Sequence, residues 1–233
     1  VNAVAQEIPT DRRSPIPHAE TGFHRIALLI GIFGTVATSA TALARRGVYY
    51  LAFASLESGD AATFQLWIEV LRMLPLPIFL LELMIATGAY SFLRLNGSRC
   101  GLPLVVFFAL PLLVEFYGIG TVPADVYVLV TTATSWACGF VVGFFLWQTR
   151  SQSQRPTLLA SAAIVAAAKG PLGYVTDFLI GPALYLAGIP RLPFQEVVLK
   201  MVVREAIYVA FLLMLAMLFL AERRSLAEQD AAE

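Results

Sequence analysis

REAIYVAFLLMLAMLFLAERR, residues 204–224, is the stretch that decides the fold. From Ala206 to Ala221 it carries no charge, and it is bounded by Arg204-Glu205 on one side and by Arg223-Arg224 on the other. A hydrocarbon core about 30 Å thick is crossed by roughly 20 apolar helical residues, and residues 202–221 meet that length. At 1.5 Å per residue, Glu205 and Arg223 stand about 27 Å apart along one helix, so the two charged ends reach opposite interfaces.

Working outward, five more apolar stretches occupy residues 26–44, 73–93, 102–119, 126–147 and 158–186. The composition agrees, with 58% hydrophobic residues, 14% charged residues and a mean hydropathy of +0.75. Soluble domains do not have that balance. The expected fold is therefore all-α, a polytopic helical bundle of about six transmembrane helices spanning residues 25–222. Residues 1–24 read as a disordered tail, because they are polar and contain Pro9, Pro15 and Pro17. Residues 223–233 read as a second tail. The first apolar stretch runs to Arg45-Arg46 with no A-x-A-like cleavage site, so it reads as a retained span.

Orientation comes from arginines in short loops. Arg94 and Arg99 lie between spans two and three, Arg150 and Arg155 between four and five, and Arg223-Arg224 after six. Six spans bring all of these to one side, which implies cytoplasmic termini in a bacterial cytoplasmic membrane. Arg45-Arg46 and Arg191 lie on the other side, against the rule.

Two spans carry prolines that predict irregular backbone. Span two extends back to Phe64 near Trp67, and Pro75 and Pro77 mark a bend where the chain enters the membrane. Span five contains Gly170-Pro171 and Gly181-Pro182, which predict a break or kink, because proline lacks the N–H of an internal hydrogen bond. Broken helices at membrane depth often line transport sites.

Charged groups inside hydrocarbon are expensive and mark pathways by default. Helical arithmetic puts Arg72, Glu115, Asp125, Asp177, Arg204 and Glu205 toward the exoplasmic side, with Glu82 and Lys169 deeper, near the middle of the bilayer. These eight residues are the candidate ion or solute pathway, and Glu82 is the expected partner of Lys169. Glu69, Glu196 and Lys200 read as interfacial or ion-paired groups.

Several function classes are excluded or weakened. Net charge is zero and the basic residues sit at helix ends, so nucleic acid is not an expected partner. The only histidines are His18 and His24, which removes His-ligated haem, a His-rich di-iron site and an intramembrane Ser-His-Asp triad. Cys100 and Cys138 show no metal-ligand spacing. No catalytic residue, metal site or cofactor is assigned, and carboxylates alone do not specify an enzyme. The Gly139–Gly143 GxxxG pair and the alanine-rich run 160–168 read as helix-packing faces.

Gly47-Val48-Tyr49 after span one, Trp67 in a long helix and Thr149-Arg150 closing span four give an order of elements that faintly resembles the third subunit of membrane copper monooxygenases. That family's aspartate and histidine metal ligands have no counterparts here. The resemblance implies an accessory subunit that binds no metal. The leading expectation is instead a transporter or permease-like protein moving a small polar solute or ion through a charged exoplasmic cavity. The alternative is an accessory membrane subunit of a larger redox or transport complex. Expected partners are the lipid bilayer, and other membrane subunits or further copies of the chain.

Overall fold

The computed structural model describes residues 18–97, 124–151, 153, 155–187 and 193–232. They form six helices, α1 (His18–Glu57), α2 (Ala61–Met73), α3 (Pro75–Leu95), α4 (Ala124–Thr149), α5 (Pro156–Leu186) and α6 (Pro193–Ala232). No strand occurs among the described residues. Among the described residues, four helical segments are long and apolar enough to cross a membrane: Thr21–Glu57, Ala61–Leu95, Pro156–Thr176 and Val198–Gln229. The third apolar stretch, residues 102–119, lies outside the described residues.

The helices form a row in which α3 packs on α1, α1 on α6, α6 on α5, and α5 on α4. Leu28, Ile85, Phe92, Leu159, Leu215 and Phe219 all belong to one continuous core. Neighbouring helices of the row run antiparallel. His24 meets Ser91 while Gly34 meets Leu81 along α1 and α3. Arg46 meets Glu205 while Gly31 meets Phe219 along α1 and α6. Lys169 meets Tyr208 while Gly173 meets Arg204 along α5 and α6. The start of α1, the ends of α3, α4 and α6 and the start of α5 thus share one end, with Arg94, Arg150, Arg155, Arg223 and Arg224 around it.

Small residues set the closest approaches. A methyl group added at Gly31 would stand 2.6 Å from the Cα of Gly88 on α3. On α4, methyl groups at Gly139 and Gly143 would each stand 2.6 Å from a carbonyl oxygen of α5, those of Ala166 and Ala163 respectively. Lipid tails are as apolar as leucine, so such backbone contact supplies the dispersion attraction that holds membrane helices together.

Three details depart from the sequence reading. First, α1 continues eleven residues past Arg46 to Glu57, so the arginine pair does not end the helix. Gly59 at φ +75° ends the turn that follows, and Asp60 caps α2 by accepting from the Thr63 N–H at 3.1 Å. Second, helix reaches into both expected tails, since α1 begins at His18 and α6 runs to Ala232. Third, α5 runs unbroken from Pro156 to Leu186 with Pro171 and Pro182 inside it. A break there is not observed. Contacts along its length explain the continuity: α4 packs against the carbonyls of Ala163 and Ala166, and the Trp136 indole sits directly over Gly170. The bend at Leu74 ahead of Pro75 falls where the prolines of span two predict it, and α3 starts with Pro75 in its first turn.

Candidate functional site

The ionisable residues of the described membrane-length segments concentrate toward the end of the bundle away from the arginine ring. Its outermost layer joins α1 to α6. Arg46 donates from Nε at 2.7 Å and approaches through Nη2 at 2.6 Å, both to Oε2 of Glu205. Glu205 is 8% exposed. Tyr49, one turn further along α1, has both the Arg45 and the Arg46 guanidinium 5.7 Å from its ring centroid. A buried carboxylate is tolerated only with a charged, hydrogen-bonded partner, which Arg46 supplies.

One turn of α6 further in, Tyr208 joins three helices. Its hydroxyl donates to Oε1 of Glu82 on α3 at 3.2 Å. The Lys169 ammonium of α5 lies over its ring, 4.7 Å from the centroid. Lys169 also interacts electrostatically with Glu82, with Cys138 on α4 and with Glu205. Glu82 and Lys169 are thus coupled through Tyr208, the cation on the ring face and the carboxylate at the hydroxyl.

Arg204 forms the flank of this layer, its Nε 3.5 Å from the carbonyl oxygen of Gly173 on α5. The Arg204 side chain lies along α5 at Gly173, where an added methyl would meet its Cγ at an ordinary contact distance of 3.4 Å. Trp136 of α4 meets Tyr174 edge-on at 6.0 Å and closes the α4–α5 side.

The layer lies nearer one interface than the sequence arithmetic suggests. Tyr208 is fifteen residues from Arg223 and three from Glu205, or about 22 Å and about 4.5 Å along the helix. Lys169 and Glu82 therefore lie in the outer part of the bundle rather than at its centre. The offset arises because Lys169 is placed by Tyr208, not by its fractional position along a long α5.

Of the eight expected pathway residues, Glu82, Lys169, Arg204 and Glu205 come together. Arg72 does not join them. It pairs with Glu69 on α2 at 2.7 Å in an exposed i,i+3 ion pair, a contact worth about 0–1 kcal/mol. Asp125 and Asp177 lie on α4 and α5, but their side chains are outside the described residues, as is Glu115 altogether. No group of three or more His, Cys, Asp and Glu residues suited to a metal ion occurs among the described residues.

Sequence reasoning missed Arg46 and Tyr208. Arg46 is 159 positions from its partner, and only packing brings the two together. Tyr208 left a usable signal, being the only hydroxyl-bearing residue between Ala206 and Ala221, one turn from both Arg204 and Glu205.

A second polar group occupies the arginine-rich end. His24 Nδ1 and Ser91 Oγ are 3.1 Å apart across α1 and α3, and Glu222 and Ser225 of α6 are buried nearby in the sequence of layers.

No protein-family model, curated protein or solved structure matches this chain. The resemblance to the copper monooxygenase subunit gains no support from these comparisons.

Proposed function

We propose that the chain is a membrane permease, or the conducting subunit of one, that moves a small polar solute or ion across a bacterial cytoplasmic membrane. The observation that carries this reading is the Glu82–Tyr208–Lys169 cluster, drawn from three helices and set inside a bundle of membrane-crossing length. Ionisable groups persist at such depth when they face a protein interior and serve transfer. In this reading the Arg46 end faces the exoplasm and both termini are cytoplasmic.

The direction of the helices supports six crossings. α3 finishes at the arginine-rich end and α4 begins at the opposite one, while the sequence between them contains the apolar residues 102–119. Pro171 inside α5 leaves the carbonyl of Ala167 without its usual i+4 donor, which favours a local bend beside Lys169.

The test is current recording from proteoliposomes adsorbed on a solid-supported membrane, exposed in turn to amino acids, sugars, carboxylates and inorganic ions. The reading expects current from at least one class, abolished by Lys169→Met and by Glu82→Gln. Silence to every class in correctly folded protein would contradict it.

One observation favours the accessory-subunit reading. Phe178, Tyr185 and Leu186, on the last turns of α5 beyond the Arg46 layer, are 76%, 70% and 84% exposed, an apolar surface that a neighbouring subunit could cover. Under that reading the protein crosslinks through these positions and gives no solute current alone.

A further inference from the structure

Most of the buried hydroxyl, amide and charged side chains lie on α1, α3 and α6. Along this three-helix seam they form two groups with an apolar segment between them. The outer group contains Glu205, Tyr208 and Glu82, and continues inward to Thr38 and Thr35 on α1. Thr38 is one turn from Gly34, whose added methyl would press on Leu81, Met84 and Ile85, so it lies within about a turn of the Glu82 level. The inner group contains His24 with Ser91, then Asn96, Glu222 and Ser225.

Each group contains one buried oxygen without a hydrogen-bond partner, Oγ1 of Thr38 and Oδ1 of Asn96. Both residues are 2% exposed. An orphaned oxygen at such depth is unfavourable for stability, yet the hydroxyls around Thr38 are otherwise used. Thr35 donates to the Ile32 carbonyl at 2.8 Å, and Ser39 to that of Thr35 at 2.8 Å.

The apolar segment between the groups is built around a close approach of α1 and α3. Gly31 and Gly88 touch backbone to backbone, and the Phe219 ring lies against both. Phe92 packs on Phe219 with ring centroids 6.1 Å apart. Phe219, Leu28 and Leu93 are fully buried. This plug covers the stretch of α1 between Thr35 and His24, eleven residues or about 16 Å.

We propose that protons are the species this seam conducts, passing between Glu82 in the outer group and His24 in the inner group, with the Phe219 ring as the seal that stops leakage at rest. The inference rests on the permease reading and names its coupling ion. The seam suits protons better than metal cations. Its outer group offers the carboxylates of Glu82 and Glu205 beside Arg46 and Lys169, cations that repel a further one, whereas carboxylate, hydroxyl and imidazole all accept and donate protons. The cycle balances in three transfers: Glu82 takes up a proton from outside, that proton crosses to His24 when the Phe219 ring moves aside and water enters, and His24 releases one inward, so both groups return to their starting state. The charged and titratable groups that face this path are Arg45 and Arg46 on α1, Lys169 on α5, Cys138 on α4, and Glu205 and Tyr208 on α6 at the outer end, with Glu222 of α6 and Arg155 ahead of α5, which line one small cavity with Phe92, at the inner end.

The experiment uses the full chain in proteoliposomes containing a trapped pH dye, with valinomycin and a potassium gradient setting the membrane potential. Wild type should admit protons little faster than protein-free vesicles. Phe219→Ala should raise the initial proton influx about tenfold, and Phe219→Leu, which keeps more of the apolar volume, by less. Glu82→Gln combined with either should return influx to the wild-type rate.

Influx that persists in the Glu82→Gln background, or a leak equally permeable to potassium measured without valinomycin, would overturn the route. So would unchanged influx in both Phe219 variants with wild-type melting curves. Glu82 is read independently of the plug by infrared difference spectra between high and low pH. A protonatable carboxyl that disappears in Glu82→Gln supports the proposal, and identical spectra overturn it. Solute currents that ignore a pH gradient would reject the proton route while leaving the permease reading intact. A Glu82-dependent proton leak without any solute current would support the route and reject solute transport.

Discussion

The guanidinium of Arg46 on α1 directs two nitrogens to a single carboxylate oxygen of Glu205 on α6, at 2.7 and 2.6 Å. In the proposed topology Arg46 lies on the wrong side of the charge rule, and this pair accounts for it. The rule concerns arginines free to interact with the cytoplasmic surface, whereas Arg46 is engaged by an internal acid. It also joins the two longest helices just outside the Glu82–Tyr208–Lys169 layer.

Removing one member of that pair leaves the other charge partly buried. Glu205→Leu and Arg46→Met alone should each destabilise the protein, by about 3–5 kcal/mol where the remaining charge stays dry and by less at Arg46, which is more exposed. The double variant should lie near wild type. Thermal melts in detergent, arranged as a double-mutant cycle, measure the coupling; additive losses would exclude it.

The α4–α5 interface should be intolerant of a single methyl group. Gly139→Ala and Gly143→Ala each place Cβ 2.6 Å from a carbonyl oxygen, so the helices must separate. The expected loss is about 1–3 kcal/mol, only partly offset by the better helix propensity of alanine. Gly47→Ala, where nothing stands within 4 Å, is the control and should not destabilise. Melting temperatures of the three variants check both statements.

Acid should loosen the start of α2 before the rest of the bundle. The hydrogen bonds from Thr63 hold the Asp60 carboxyl below its ordinary value of 3.8. Because the folded value is depressed, its stabilising contribution is complete above 3.8 and is lost as pH falls through the lower, folded value. Hydrogen exchange of the amides at 61–64 should accelerate over that acid range in wild type. In Asp60→Ala exchange should already be fast at neutral pH and show no such step.

Topology follows from the shared arginine end. In a background lacking Cys100 and Cys138, a cysteine at Ser58 should react with an impermeant maleimide added outside intact cells, whereas one at Ser153 should react only after permeabilisation. Labelling of Ser153 from outside would overturn the orientation.

The sequence revealed the elements better than their ends or their contacts. Long charge-free runs such as 206–221 are legible because the bilayer demands continuous apolar length, and Pro75 is legible because proline fixes local geometry. Local rules failed where packing prevailed. Arg45-Arg46 reads as the end of a span, yet an acid 159 positions away holds Arg46 within a continuing helix. Gly170-Pro171 reads as a break or kink, yet the helix is continuous there and α4 backs that stretch, with Trp136 seated on Gly170. The site was half visible. Glu82 and Lys169 are conspicuous as charges in apolar runs, but Tyr208, which joins them, resembles an ordinary aromatic until three helices are assembled.

The most direct test of the working cluster compares Lys169→Met, Glu82→Leu and the double variant for detergent stability and for solute-evoked current in proteoliposomes. Each single change should strand a charge at a cost of about 3–5 kcal/mol, and the double change should restore stability close to wild type. This stable double variant should carry no current. A double variant as stable as wild type that still conducts would show that Lys169 and Glu82 only hold the helices together and would contradict a role in transport.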